Sequence, residues 1–104
     1  MCDLKDAHRE EKLGQLCEKE ESEKAVEHYL EAASIYTLNA ELQKNDSMLI
    51  NANSCYRKAS QLRGMMMNQI LSKEELARRT LIELDQIRAK KPKINPLEEL
   101  KKLL

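Results

Sequence analysis

The sequence predicts an all-α fold, an up-down bundle of three helices with an additional fourth helix and a short C-terminal helix. Small residues and tyrosines recur at steps of three and four in two stretches, which places each set on one helix face. These stripes are Ala25, Tyr29, Ala32, Tyr36 and then Ala52, Cys55, Ala59, Leu62. The chain has no Phe or Trp and only three Tyr, so its core must use aliphatic side chains that favour helices. Two Gly and two Pro provide little turn chemistry for hairpins.

Capping residues divide the pattern into separate helices. The predicted helices cover about residues 4–18, 23–43, 47–70, 73–90 and 95–104. Ser22 is the expected N-cap of the second helix, and Asp46 or Ser47 caps the third. Ser72 with Glu75 forms a capping box at the start of the fourth. No Gly or Pro enforces the first junction, so the first two helices running continuously stays an alternative.

The second predicted helix is apolar over most of its circumference. Beside its stripe of alanine and tyrosine it carries two further lines, Val26, Leu30, Ala33, Ala40 and Ile35, Leu38, Leu42. Such a helix lies in the middle of an assembly and is flanked on both sides. The neighbouring helices are expected to use Leu13, Leu16 and Cys17 in the first; Met48, Ala52, Cys55, Ala59, Leu62 and Met66 in the third; and Leu76, Ala77, Leu81, Leu84 and Ile87 in the fourth.

The sequence predicts that the chain is divided into two parts. Residues 1–70 form the bundle, and residues 71–104 add the fourth helix, a basic hinge at 90–93 that contains Pro92, and the terminal helix. The start signals of that last helix are Asn95, Pro96 and Glu98, and its apolar face is Leu97, Leu100 and Leu104. Ten residues are too few for a stable helix alone in water. We expect the tail to dock on its own bundle or on a second copy.

Composition excludes several classes of function. Eighteen basic residues balance eighteen acidic ones, so no global field attracts nucleic acid or anionic lipid. Three cysteines without CxxC spacing fit a reduced intracellular compartment. The first residues contain no apolar signal region, and no run reaches membrane-spanning length. A cytoplasmic chain without a transmembrane segment is the expectation.

No catalytic, cofactor or metal site is predicted. His8 and His28 stand apart from any nucleophile, base or phosphate-binding motif and are expected to be isolated surface residues. Cys17 and Cys55 lie in different predicted helices and are interpreted as small core residues. The sequence therefore favours a protein that is not an enzyme.

Two short segments allow a binding role beside a structural one. The run Met65–Met67 is either the end of a buried seam or an adaptable recognition surface. The segment Leu100–Leu104 matches the Leu-x-x-Leu-Leu pattern with which coactivators dock on nuclear receptors. Intramolecular docking or docking on a second copy is the preferred interpretation of that tail.

Residues 23–66 resemble the MIT (microtubule-interacting and trafficking) domain, a three-helix module of ESCRT-pathway ATPases, deubiquitinases and kinases. The resemblance rests on Ala25, Tyr29, Ala32 and Ile35-Tyr36 in the second helix and on Cys55-Tyr56-Arg57-Lys58-Ala59-Ser60-Gln61-Leu62 in the third. Ser60 stands where the family has an acidic residue that pairs with the bound tail, and Lys58 stands where Arg is usual. The resemblance implies a bundle that binds C-terminal tails of ESCRT-III subunits beside the third helix.

The function predicted from the sequence is protein binding by a non-enzymatic adaptor. It presents a groove between helices to peptide tails, in ESCRT-linked protein transport at the cytoplasmic side of endosomes. The expected partner-binding residues are Leu62, Met66, Tyr56, Lys58, Leu38 and Leu42. The alternatives are a structural subunit that oligomerises through the fourth helix or the tail, including a homodimer, and a coactivator-like module that uses the Leu-x-x-Leu-Leu segment.

Overall fold

A computed structural model of the chain describes residues 4–64 and 68–90, which form four α-helices and no strand. In chain order they are α1 (Leu4–Cys17), α2 (Ser22–Leu42), α3 (Ser47–Leu62) and α4 (Lys73–Lys90). The prediction of an all-α chain is confirmed. α2 packs against α1, α3 and α4, and α4 packs against both α2 and α3. The described residues thus form three helices arranged around α2, and a three-helix bundle of the MIT kind is not confirmed.

The central position of α2 is confirmed by the burial of its side chains. Eleven of its residues are buried, and the apolar ones are Ala25, Val26, Tyr29, Leu30, Ala32, Ala33, Ile35, Tyr36 and Ala40. The alanines leave room for neighbouring helices to approach closely. One part of the prediction is wrong: Leu38 and Leu42 are 44% and 57% exposed, so the third apolar line is buried only at Ile35.

α1 packs only in part through the face that the sequence predicts. Leu16 is 77% exposed, whereas Ala7 and Gly14 are buried against α2. A Cβ atom built on Gly14 would lie 3.1 Å from the ring of Tyr29, so the absent side chain is what lets that ring sit against α1. The small residues of α1 therefore face the bundle. Of the predicted stripe, Cys17 packs against the core, Leu13 is half-buried and only Leu16 is exposed.

The junctions also differ in part from the expected caps. α1 and α2 are separate helices, and Ser22 begins α2 without capping it, because Glu21 occupies the N-cap position. At α3 the expected Asp46 side chain makes no capping hydrogen bond. Asn45 Oδ1 instead accepts hydrogen bonds from the backbone N–H of Ser47 at 3.1 Å and from its hydroxyl at 2.6 Å. The turn between α2 and α3 is thus closed by a local asparagine bond.

α3 is shorter than the predicted 47–70 and ends at Leu62. Gly64 has a φ of +84°, in the left-handed region where glycine is favoured, and its N–H donates to the carbonyl of Gln61 at 3.0 Å. The buried seam is confirmed at Met48, Ala52, Cys55 and Ala59 and is half-buried at Leu62.

α4 begins where the sequence predicts but turns partly different residues inward. The Ser72 hydroxyl accepts a hydrogen bond from the backbone N–H of Glu75 at 3.3 Å, which confirms Ser72 as the cap. Leu76, Leu84 and Ile87 are buried as expected. Leu81 is 55% exposed, and the polar residues Thr80 and Glu83 are buried instead of it.

Some predictions concern residues outside the described ranges. They are the Met65–Met67 run with Met66 of the candidate groove, the hinge from residue 91 to 93, and the terminal helix with its Leu-x-x-Leu-Leu segment.

Candidate functional site

The described residues that were predicted to form one partner-binding groove do not lie together. Leu38 and Leu42 are exposed near the C-terminal end of α2. Leu62 lies at the C-terminal end of α3, half-buried against the core. Since α2 and α3 are antiparallel neighbours joined by a short turn, the end of α3 lies beside the start of α2. Leu62 is therefore at the opposite end of the helix pair from Leu38 and Leu42.

Tyr56 is buried beneath α4 and does not face solvent. It is 3% exposed, and its hydroxyl donates a 3.0 Å hydrogen bond to Glu83 Oε1. Burial, together with the nearby carboxylate of Glu83, raises the pKa of Tyr56. The side of α3 that carries Tyr56 is thus covered by a helix of the same chain.

Lys58 is half exposed and makes contacts within the chain. Its Nζ atom lies 3.4 Å from Glu18 Oε1 and 5.9 Å from the centroid of the Tyr29 ring. An exposed ion pair of this kind contributes about 0–1 kcal/mol to stability. Lys58 connects the ends of α1 and α3, where it can neutralise the acidic end of α1.

Two polar contacts mark where α1 and α4 lie against α2. His28 Nδ1 lies 2.6 Å from Glu10 Oε2 of α1. Glu31 of α2 binds the guanidinium group of Arg88 of α4. The face of α2 that carries His28 therefore borders α1. The face that carries Glu31 borders α4.

Toward the C-terminal end of α2, two exposed leucines lie on the faces that His28 and Glu31 mark. Steps of seven residues return to nearly the same helix face. Ile35 and Leu42 follow His28 by seven and fourteen residues and lie on the same face of α2. Leu38 follows Glu31 by seven residues. Ile35 is buried at 8% exposure, while Leu38 and Leu42 are 44% and 57% exposed. We name Ile35, Leu38 and Leu42 the α2 strip.

Two hydrogen bonds show where α4 lies on α3. The backbone N–H of Leu71, just before α4, donates to Asn53 Oδ1 of α3 at 2.9 Å, and Glu83 meets Tyr56 one turn further along α3. α4 therefore crosses α3, with its start beside Asn53 and its middle beside Tyr56.

Leu81 precedes Arg88 by seven residues on α4, as Leu38 follows Glu31 by seven on α2. Leu81, at 55% exposure, lies on the face of α4 that carries Arg88. The sequence had assigned Leu81 to the core.

Exposed charged side chains of both signs lie near these leucines, and Lys44 follows Leu42 by two residues. Glu41 lies one turn from Leu38 on α2, and Glu74 and Asp85 lie on the side of α4 that carries Leu81. All three carboxylates are exposed, and Arg78 is the exposed basic residue one turn from Leu81. A ligand with an apolar face and basic flanks fits this arrangement best.

The sequence predicted that both histidines are isolated, and this prediction is wrong. His28 pairs with Glu10, and Tyr36 connects His8 with Glu11. The Tyr36 hydroxyl lies 2.9 Å from His8 Nδ1 and donates to Glu11 Oε1 at 2.9 Å. Burial, together with the nearby carboxylate of Glu11, raises the pKa of Tyr36. These contacts hold α1 on α2.

Cys55 is likewise suited to packing. It is 2% exposed, and burial raises the pKa of its thiol to about 12. A thiol of this kind is not a nucleophile at neutral pH. Cys17 is half-buried and packs against the same core, in agreement with the core interpretation of both cysteines.

The raised pKa of Cys55 leads to an alkaline stability prediction. The folded chain holds the thiol proton between pH 9.0 and about pH 12, where the unfolded chain has released it. The folded state then binds more protons, so the free energy of unfolding falls as pH rises through that window and is unaffected below it. We expect a loss of up to about 1.4 kcal/mol per pH unit from this group. Melting temperatures from about pH 8 to about pH 11 measure this loss, and the Cys55→Ala variant should show a shallower decline. Equal slopes for the two proteins would contradict the assignment.

Neither the described side chains nor comparison with known proteins identifies a ligand. No group of three His, Cys, Asp or Glu side chains suited to a metal ion occurs in residues 4–64 and 68–90. In the same ranges, no helix has the length and apolar character needed to cross a bilayer. No protein-family model matches the chain, and comparison with curated proteins and with solved structures finds no significant match.

Proposed function

We propose that this protein is a non-enzymatic adaptor that binds an amphipathic helix of a partner protein on the α2 strip. The observation that carries the proposal is the exposure of Leu38 and Leu42 on α2, together with Leu81 on the neighbouring helix α4. Exposed leucines scattered singly are ordinary, but several on helices that pack together are typical of a protein-binding surface.

The shape of the strip favours a helix as the ligand. A helix lying in a groove offers apolar side chains at steps of three, four and seven, the same steps that separate Ile35, Leu38 and Leu42. The exposed carboxylates Glu41 and Asp85 favour partners with Lys or Arg beside their apolar face. The partner is therefore an amphipathic helix with basic flanks.

The resemblance to MIT domains supports a more specific partner class. C-terminal tails of ESCRT-III subunits are the ligands which that resemblance implies, and they place the adaptor in ESCRT-linked transport at endosomes. The proposed surface differs from the one inferred from the resemblance, since α4 covers Tyr56 on α3. In this proposal the tails bind between α1 and α4.

The test is a binding assay with the full chain and fluorescent synthetic peptides of ESCRT-III C-terminal tails. Leu42→Asp places a charge in the strip, and we expect it to weaken binding at least about tenfold. Ile50→Asp is the matched control, because Ile50 is 66% exposed on the outer side of α3. Its binding should equal that of the unmodified protein. Circular dichroism of both variants checks that helical content is retained.

Two results would overturn the proposal. Equal weakening by Leu42→Asp and Ile50→Asp would show that the strip is not the binding surface. Absence of binding by every basic amphipathic peptide of the panel would remove the adaptor function itself.

A structural subunit is the second candidate function, because α4 also exposes apolar residues away from the strip. Ile82 is 49% exposed, and Ile70 just before α4 is 70% exposed. These residues favour contact with another chain more than isolation in water. The mass of the protein in solution separates the two candidates: a stable oligomer that Ile82→Asp dissociates supports the subunit, and a monomer at all concentrations excludes it.

A further inference from the structure

We infer that the outer face of α1 binds the surface of a membrane that contains anionic lipids. The inference goes beyond the proposed function, because it concerns a helix outside the α2 strip and does not require the strip to bind a peptide. It rests on a row of exposed basic side chains that includes one exposed leucine. The balanced charge of the whole chain gives no sign of this row.

Folding places the opposite charges of α1 on different sides of the helix. α1 contains three basic and three acidic residues, so its formal charge is zero. The three basic side chains are all exposed, whereas the three acidic ones are all half-buried. The basic residues are Lys5, Arg9 and Lys12, and the acidic residues are Asp6, Glu10 and Glu11.

Contacts with α2 hold two of the acidic side chains away from the open side of α1. Glu10 Oε2 lies 2.6 Å from His28 Nδ1. Glu11 Oε1 accepts a hydrogen bond from the Tyr36 hydroxyl at 2.9 Å. The side of α1 that faces α2 therefore carries most of its negative charge, and the open side carries its positive charge.

The exposed residues form one row along the helix. Lys5, Arg9, Lys12 and Leu16 follow each other at steps of four, three and four, which place them on one face, and we name them the α1 row. Leu16 is 77% exposed, and all four side chains line the same shallow depression of the surface. Arg9 also pairs with Asp6 at 3.4 Å. That pair is exposed and weak, so Arg9 can still contact a ligand.

The α1 row is turned away from the bundle. Ala7 and Gly14 are the buried residues of α1, and the row lies on the opposite face of the helix. Among the described helices, the extensive packing of α1 is with α2. The row therefore lies on a single helix at the edge of the described bundle.

This position favours a lipid surface over other anionic ligands. A peptide helix binds in a groove, whereas a bilayer surface contacts one amphipathic helix along its length. Basic residues beside an exposed leucine are typical of such interfacial helices, because the leucine enters the boundary of the acyl chains while the cations stay at the headgroups. Single-stranded nucleic acid is usually bound with the help of exposed aromatic rings. All three Tyr of this chain are buried, and it has no Phe or Trp.

The test measures binding of the full chain to lipid vesicles by sedimentation. Phosphatidylcholine vesicles with about a third of phosphatidylserine should bind the protein at least about tenfold more tightly than pure phosphatidylcholine vesicles. Lys12→Gln removes one positive charge from the α1 row, and we expect about fivefold weaker binding to the anionic vesicles. Arg78→Gln is the matched control, because it removes the same charge from an exposed site on α4. Its binding should equal that of the unmodified protein.

A second pair of variants tests the leucine of the row. Leu16→Ala should weaken binding about threefold or more, because less apolar surface enters the acyl-chain boundary. Ile50→Ala is the control, since Ile50 is 66% exposed on α3, and it should leave binding unchanged. Added salt should release the unmodified protein from the anionic vesicles.

Three outcomes would overturn the inference. Absence of binding to the anionic vesicles at low salt would remove the membrane as the ligand. Equal loss of binding in Lys12→Gln and Arg78→Gln would show that the α1 row is not the contact. Tighter binding of soluble polyglutamate than of vesicles, with the same dependence on Lys12, would show that the ligand is an acidic protein segment.

Discussion

Replacing Leu30 by Ala should destabilise the protein by about 2–5 kcal/mol, because it opens a cavity in the middle of α2. Leu30 is fully buried in the core that α2 shares with its neighbours. Domains of this size have total stabilities of about 5–15 kcal/mol, so the variant loses a large part of its margin. Urea denaturation measures the change, and the melting temperature should fall by about 10 °C or more.

Leu38→Ala is the matched control for that experiment. It makes the same chemical change on the same helix, but Leu38 is 44% exposed. We expect a loss of about 1 kcal/mol or less, since only part of the side chain leaves an apolar contact. Similar losses in the two variants would contradict both the central position of α2 and the openness of its strip.

The second large effect concerns the hydrogen bond that fixes α4 on α3. Glu83 is 5% exposed, and Tyr56 donates to one oxygen of its carboxyl group at 3.0 Å. Tyr56→Phe removes this donor from a buried acidic group, at a cost of about 2–3 kcal/mol. Thermal and urea unfolding measure the loss.

A double-mutant cycle tests whether the loss of stability comes from a Glu83 carboxyl group left without its hydrogen-bond donor. When Glu83→Met is added to Tyr56→Phe, the buried acceptor is gone, and part of the lost stability should return. Tyr36→Phe is the control, since Tyr36 donates to the half-buried Glu11, where water can take over the bond. It should cost about 1 kcal/mol or less. An additive cycle would show that Tyr56 and Glu83 are not coupled.

The elements with dense local patterns are the ones that the sequence predicted well. α2 has apolar lines on most sides, so its burial at Leu30 and Ala33 followed from spacing alone. The start of α4 followed from the Ser72 cap, which is a local signal. Both features depend on residues within one or two turns of each other.

The features that were missed depend on distant partners. Gly14 is buried because the ring of Tyr29 occupies the space of its absent side chain, and nothing within α1 indicates this. Leu16, the larger residue, therefore looked like the better core candidate. Glu83 is buried on account of Tyr56, which lies 27 positions earlier. A pattern of hydrophobicity along one helix contains no information on such pairs.

The candidate site could be predicted only in part for the same reason. Leu38 and Leu42 were expected in a binding surface, and they are exposed together. Their grouping with Leu62 assumed one continuous groove, whereas the antiparallel packing of α2 and α3 separates them. The covering of Tyr56 depends on where α4 docks, which no motif in the sequence specifies. The sequence signal for the α2 strip was the third apolar line, Ile35, Leu38 and Leu42. The exposure of its two leucines follows only from the positions of α1 and α4.

The central claim is that the α2 strip is the surface that binds a helical partner. Its most direct test is a methyl NMR titration of the full chain with a basic, leucine-rich ESCRT-III tail peptide. We predict saturable shifts of Leu38, Leu42 and Leu81, with Leu62 and Ile50 unaffected. Shifts centred on Leu62 at the end of α3, with the strip unchanged, would contradict the claim.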